Sequence, residues 1–321
     1  MHVFLVGYFG FSNVGDDICL QKSKALIRTR YPNATYSYLG AKQSGHSISR
    51  FSFFAVIKAI YNADYVIFAG GSLLQNASST ASLYYYLSLI VLSKILRKKV
   101  ELLAQGIGPV YGALNKLFLA LALRMVDEIS VRDSKSFEYV SSIKSCTLTT
   151  DLAFYDAAIH DNAFQSVISI GVNYANVSSN QSLLQSVTAC LKSQELPVQP
   201  YSFFHELDDA VLSNHGFLDS YQITASRFYD ACDKPLSLLV AMRYHSCVWA
   251  ALHGIPFIAL AYDPKVLEIA KAFGQPYLCL YDKEDQSFDT LFQDMTQHYA
   301  SYKKALLVAL NKQLNTAKNM K

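Results

Sequence analysis

The chain has 321 residues, 51% of them hydrophobic and 17% charged, with a formal net charge of +3. That length accommodates two domains, and so apolar a composition excludes a disordered chain. The small positive excess excludes the concentrated basic face that nucleic-acid binding requires, so no nucleic-acid partner is expected.

In chain order, a short apolar run at Val3–Val6 ends in Gly7 and predicts a strand. A polar, helix-compatible stretch follows over 16–30, then a strand over 35–39, a helix over 51–61 and a compact strand over 65–68 that ends at Gly70-Gly71. The apolar run 83–96 is too short to span a bilayer and contains Lys94, so it predicts a buried helix. Residues 100–104 predict a strand, 114–126 a helix and 128–131 a strand ending at Arg132-Asp133. The segment 152–166 lacks a strand pattern and is read as a connector. The alternation then resumes, with strands over 167–172, 198–203, 238–240, 257–261 and 277–280, and helices over 182–191, 245–252 and 266–273. Short apolar strands alternating with helices predict parallel sheets covered on both faces. The expected architecture is α/β: two Rossmann-like doubly wound domains facing a cleft, one over 1–155 and one over 165–290. A terminal helix over 296–321, with apolar residues at Tyr302, Leu306, Leu310 and Leu314, is expected to pack back on the first domain.

The six cysteines form no CxxC pair and read as reduced packing residues. The first residues lack a basic segment and a cleavage site, so a cytoplasmic location is expected. The sequons at Asn33, Asn76, Asn176 and Asn180 then carry no weight. Lys303, Lys304, Lys312, Lys318 and Lys321 on the terminal helix fit either a solvated face or a peripheral contact with anionic lipid at the inner face of the plasma membrane.

Four features could carry chemistry. Gly7-Tyr8-Phe9-Gly10 through Asn13-Val14-Gly15-Asp16 joins the first strand to its helix, either as a ligand loop or as a tight turn with Asp16 as a cap. It matches neither a phosphate-binding P-loop nor the dinucleotide fingerprint. Ala69-Gly70-Gly71-Ser72-Leu73-Leu74-Gln75, Gln105-Gly106-Ile107-Gly108-Pro109 and Arg132-Asp133 end the next strands, at the edge where such sheets bind ligands. Met242-Arg243-Tyr244-His245 places a cation and a proton-transfer group between an apolar strand and an apolar helix, where an unpaired charge is costly. Tyr262-Asp263-Pro264-Lys265 opens a helix and offers either an anion site or a cap beside a solvated lysine.

In this order, together with Asp151, the motifs resemble the polysaccharide pyruvyl transferase family over residues 7–266. The resemblance implies a fold similar to the GT-B glycosyltransferases, phosphoenolpyruvate as donor, and a sugar diol of a cell-surface or exopolysaccharide glycan, in some cases lipid-linked, as acceptor. The product would be a pyruvate ketal, with phosphate released. No cofactor and no metal are implied. On this reading His245 is the general acid/base, with Asn13 and Asp16 completing the catalytic set. Arg243, Lys265 and Arg132 bind the donor anion, and Ser72, Gln75 and Gln105 contact the acceptor. Asn173 stands where the family often has an arginine, a departure that takes away one cation. A GT-B glycosyltransferase using a nucleotide sugar, and a non-catalytic glycan-binding relative, are the alternatives.

Overall fold

A computed structural model describes residues 1–160, 162–176, 181–281 and 287–320. The sequon at Asn180 and the last lysine, Lys321, lie outside the described residues. The chain forms two compact units, Met1–Asp156 with Thr316–Lys321, and Ala157–Asn315.

The first unit is built on a seven-stranded sheet in the order β3-β2-β1-β4-β5-β6-β7. Its strands are β1 (His2–Phe9), β2 (Thr35–Gly40), β3 (Ser47–Ser49), β4 (Tyr65–Ala69), β5 (Lys99–Gln105), β6 (Glu128–Val131) and β7 (Thr147–Leu148). Every pairing between these strands is parallel. The central strands read as continuous apolar runs because both of their faces are covered: Val3, Phe4, Leu5 and Val6 are all fully buried. Phe4, Val6, Val66, Phe68, Val100 and Leu102 pack with helices α2 (Phe53–Asn62), α3 (Thr80–Ile95) and α4 (Ala113–Met125). Helix α1 (Val14–Arg30) packs against β1 and β4 but adds nothing to that cluster, so it covers the opposite face.

Helix α1 begins where capping chemistry dictates. The Asn13 side chain accepts from the Gly15 N–H, with Asp16 and Asp17 in the first turn and Arg28 and Arg30 in the last, an arrangement that complements the helix dipole. The cap is therefore Asn13 and not Asp16. The expectation of a buried helix over 83–96 is corrected. One side of α3 is buried through Leu83, Tyr86, Leu87 and Ile90, while Tyr84, Val91 and Ile95 face solvent. Helix α5 (Ser134–Ser141) and strands β3 and β7 went unforeseen; eight residues or fewer give no usable period. The expected connector also begins later, since Leu152–Phe154 form a buried 3-10 turn of the first unit.

The second unit carries a six-stranded parallel sheet in the order β10-β9-β8-β11-β12-β13. Its strands are β8 (Ile170–Asn173), β9 (Val198–Ser202), β10 (Tyr221–Gln222), β11 (Leu238–Ala241), β12 (Phe257–Ala261) and β13 (Tyr277–Cys279). Helices α6 (Gln181–Ser193) and α10 (Phe288–Gln297) pack on one face through Leu184, Val187, Leu291 and Met295. Helices α8 (Tyr244–Leu252) and α9 (Pro264–Ala272) cover the other, against β11 and β12. Helix α7 (Leu207–Asn214) follows β9 and was not anticipated. The last helix, α11 (Tyr299–Lys318), buries Leu306 and Leu310. Lys303 is not solvated as expected: it is buried, and its ammonium donates to the backbone carbonyls of Asn162 and Phe164. No helix among the described residues is long and apolar enough to cross a membrane.

Gly70 tests the packing under the first sheet's carboxyl edge. Its φ is +63°, and an added Cβ would lie 2.7 Å from Cys19 Sγ and 2.9 Å from Leu152 Cδ1. Gly70→Ala should cost about 1–3 kcal/mol from the left-handed backbone alone, and more from the clash. Urea denaturation showing wild-type stability would contradict this packing.

Candidate functional site

The motifs of the second unit stand at the carboxyl ends of adjacent strands. β11 pairs with β8 so that Ala241 aligns with Asn173, and with β12 so that Ala241 aligns with Ala259. The side chain of Asn173 is fully buried at the end of β8. Its amide donates to Tyr201 O and to Asp208 Oδ2, both at 3.0 Å, while its Oδ1 accepts from the Arg243 backbone N–H at 3.1 Å. Asp208, in the first turn of α7, is fully buried too. It accepts from the Phe203 and Phe204 N–H groups at 3.0 Å each, and its Oδ1 receives Arg243 Nε at 2.9 Å and Nη2 at 2.6 Å.

Arg243 is therefore not the uncompensated cation that the sequence suggested. Its guanidinium is neutralised by Asp208, lies 5.2 Å from the centroid of the Phe204 ring, and keeps 21% of its side-chain surface exposed. Burial works against the charged form. Asp208 and then Tyr262 outweigh it, so the Arg243 pKa moves upward. The contact with Tyr262 brings the 242–245 and 262–265 motifs together. It also changes the meaning of Asn173, which fixes the backbone of Arg243 and one oxygen of its partner.

His245 lies in the first turn of α8, half-buried, with its ring 5.1 Å from that of Tyr244. Asp263 caps α9 by accepting from the Lys265 N–H at 3.0 Å, and Pro264 opens the helix. The Lys265 ammonium sits 3.2 Å from Asp263 Oδ2, with 38% of its side chain exposed. It is the most accessible of the three proposed donor cations. Neither α8 nor α9 has an acidic residue in its first turn, but the start of α9 already holds the Asp263 carboxylate, so the start of α8, which has no side-chain cap, is the one that favours an added anion.

In the first unit, the loop after β1 is fixed by its own acids. Asp17 Oδ1 accepts from the Gly10 N–H at 2.8 Å, and the Asn13 amide donates to Asp16 Oδ2 at 2.6 Å. Asp16 also reaches the next loop, because a Cβ on Gly71 would lie 3.2 Å from Asp16 Oδ1. Arg132 is a buried structural cation here. It pairs with buried Asp151 at 2.6 Å and donates to Ser72 Oγ at 2.9 Å. Its guanidinium lies across Gly106, where a Cβ would meet Ser72 Oγ at 2.7 Å and Arg132 Nε at 3.0 Å.

Of the proposed acceptor contacts, Gln105 is fully buried, and its amide donates to the carbonyls of Phe68 and Gly70. It secures the loop after β4 and offers no surface to a ligand. Gln75 exchanges two hydrogen bonds with Ser78 and so closes a local turn. Ser72 remains half-buried, and Arg132 donates to its hydroxyl. Sequence reasoning missed Asp208 and cited Asp151 only as part of the motif order. Both acids are far in sequence from their arginines, and only the acidic pair Asp208-Asp209 after a strand hinted at a role. At Cys19, beside this edge, burial and then the charges of Asp151 and Asp16 push the thiol pKa well up and so favour the neutral thiol over the reactive thiolate.

Asp208→Asn should leave Arg243 charged and half-enclosed, destabilising the protein by about 3 kcal/mol. Adding Arg243→Met should recover part of that loss. A double-mutant cycle in urea with no coupling between the two positions would refute the pairing.

Comparison with known proteins gives the fold and the family. A search of curated proteins finds no match. Solved structures share the fold at low identity. A UDP-GlcNAc 2-epimerase from Neisseria meningitidis bound to UDP-GlcNAc superposes with a TM-score of 0.59 at 9% identity, covering 99% of this chain and 98% of that one. The same epimerase from Methanocaldococcus jannaschii gives 0.55 at 10%, covering 98% and 93%. A lipopolysaccharide outer core galactosyltransferase gives 0.51 at 10%, covering 100% and 99%. These likenesses establish a GT-B-like architecture of two Rossmann-like domains. The family model for polysaccharide pyruvyl transferase matches residues 13–264, from the cap of α1 to the first residue of α9. The chain belongs to the polysaccharide pyruvyl transferase family.

Proposed function

We propose that the protein transfers the pyruvyl group of phosphoenolpyruvate to two hydroxyls of a sugar in a cell-surface or exopolysaccharide glycan. The family match over residues 13–264 carries this reading. The donor side falls to the second unit, where Lys265 and the start of α8 would receive the phosphate and carboxylate. Arg243, already balanced by Asp208, supplies directed N–H groups more than net charge. The acceptor side falls to the first unit, at the loops bearing Asn13, Asp16 and Ser72. Arg132 is removed from the donor set, since Asp151 balances its charge in the interior.

The chemistry sets the roles. Two hydroxyl oxygens form bonds to C2 of the pyruvyl group, the bond from C2 to the phosphate oxygen breaks, and the methylene carbon becomes a methyl group. Of the two hydroxyl protons, one balances the new methyl hydrogen and the other leaves with phosphate. His245, at the start of α8, is the group suited to give the proton to carbon and take one from oxygen. Asp16, held by Asn13, orients or deprotonates an attacking hydroxyl.

His245→Ala should lower phosphate release by about 100-fold or more while donor binding is retained. Full turnover in that variant would remove His245 from the mechanism. Lys265→Ala should weaken donor binding about tenfold, read by calorimetry. Unchanged affinity would make Lys265 no more than a partner of Asp263. The alternative, a nucleotide-sugar glycosyltransferase, draws on the fold shared with the galactosyltransferase and with the epimerase bound to UDP-GlcNAc. A binding screen of phosphoenolpyruvate against UDP-, GDP- and CMP-sugars separates the two, and binding of a nucleotide sugar alone would overturn pyruvyl transfer.

A further inference from the structure

We propose that the outer face of α2, α3 and α4 docks on an anionic lipid surface. Taken together with the reading above, this surface would bring a lipid-linked acceptor to the first unit. Each of these helices follows a strand of the parallel sheet, so its first turn stands at the strands' carboxyl edge, the edge that carries Asn13, Asp16 and Ser72. Large apolar side chains are exposed there. Phe51, Phe53 and Phe54 at the start of α2 are 77%, 68% and 82% exposed, and Leu114 and Leu117 of α4 are 66% and 51% exposed. Helix α3 joins the two groups, packing on both α2 and α4, with the rings of Tyr84 and Phe118 5.9 Å apart. Single exposed apolar residues are ordinary, whereas a continuous group on neighbouring helices marks an interaction surface.

The charge on this face selects the occupant. Between residues 51 and 126, which contain the three helices, the sequence has seven Lys or Arg, of which Lys58, Lys94, Lys116 and Arg124 lie on the helices, and only two acids, Asp64 and Glu101. Glu101 is buried against Arg30 at 2.8 Å, and Asp64 precedes β4 at the opposite edge, where it accepts from the His2 N–H. Helices α2, α3 and α4 contain no acid, and Lys58, Lys116 and Arg124 are exposed on them. Aromatic side chains that enter the headgroup region beside lysines that meet anionic lipid are the two components peripheral binding requires. A second copy of the chain suits the face poorly, because a two-fold contact would set positive charge against positive charge. The terminal helix, with Lys303 buried, is the weaker candidate.

The test is cosedimentation of the full chain with phosphatidylglycerol–phosphatidylcholine vesicles and with phosphatidylcholine vesicles, at about 0.1 M salt. The wild type should pellet with the anionic vesicles only. Phe53→Ser with Phe54→Ser, and separately Lys58→Glu with Lys116→Glu, should each lower binding at least about tenfold. Thermal stability and phosphate release with a soluble diol acceptor should stay at wild-type levels in both. No binding by the wild type would overturn the proposal, as would undiminished binding by the serine variant. So would a wild-type dimer in ultracentrifugation that the serine variant dissolves. Absence of phosphate release from every acceptor would refute pyruvyl transfer, and the vesicle result would still decide the surface.

Discussion

A guanidinium placed at the end of a buried strand must be given a counter-charge, and each unit meets this constraint with one buried aspartate. In the second unit Asp208 holds Arg243, and in the first Asp151 holds Arg132. In both cases the arginine lies just beyond a parallel strand and the acid comes from a separate segment, so the ion pair ties a loop to the carboxyl edge of the sheet. Removing either aspartate would leave a largely enclosed guanidinium without its closest counter-charge. The loops that follow the strands inherit their positions from these pairs. Asp208 also collects the Phe203 and Phe204 N–H groups, and Arg132 reaches Ser72 across Gly106.

This arrangement redistributes the chemistry assigned to charged residues. Arg132 and Arg243 both look like anion ligands when each is considered alone, because an unpaired arginine beside apolar sequence demands an anion. With their aspartates in place they are scaffolds first, and Lys265 with the start of α8 becomes an accessible positive region at the carboxyl edge of the second unit. Asn173 follows the same logic. Where an arginine would add charge, the asparagine supplies one acceptor and two donors that complete the Arg243–Asp208 network. The glutamines illustrate the converse error. Gln105 and Gln75 have the hydrogen-bonding capacity of sugar ligands, but one is enclosed under the loop after β4 and the other closes a turn.

Exposure is the other property that tertiary packing changed. The run from Leu83 to Leu96 is apolar enough to predict complete burial, yet α3 has a sheet on one side only, and α2 and α4 flank it without covering it. Its solvent side and the starts of its neighbours form an aromatic and basic face. Hydropathy counts apolar residues without regard to how much sheet surface exists to cover them, so the face could not be read from the run.

The sequence by itself determined the element order, the parallel sheets and the family, because continuous apolar strands, glycine-rich strand ends and the ordered motifs are local patterns. It also pointed to the two candidate edges, since strand ends in alternating β and α segments are where ligand loops fall. It missed α5, α7, β3, β7 and β10, which are too short to show a period, and it missed α10, which the structure separates from the last helix at His298. Only the tertiary structure decided which cations are compensated, which glutamines are enclosed and which apolar side chains remain in water. Each of these depends on a partner distant in sequence: Asp151 lies 19 residues from Arg132, and Asp208 lies 35 from Arg243. Folding sets those distances, and no local pattern encodes them.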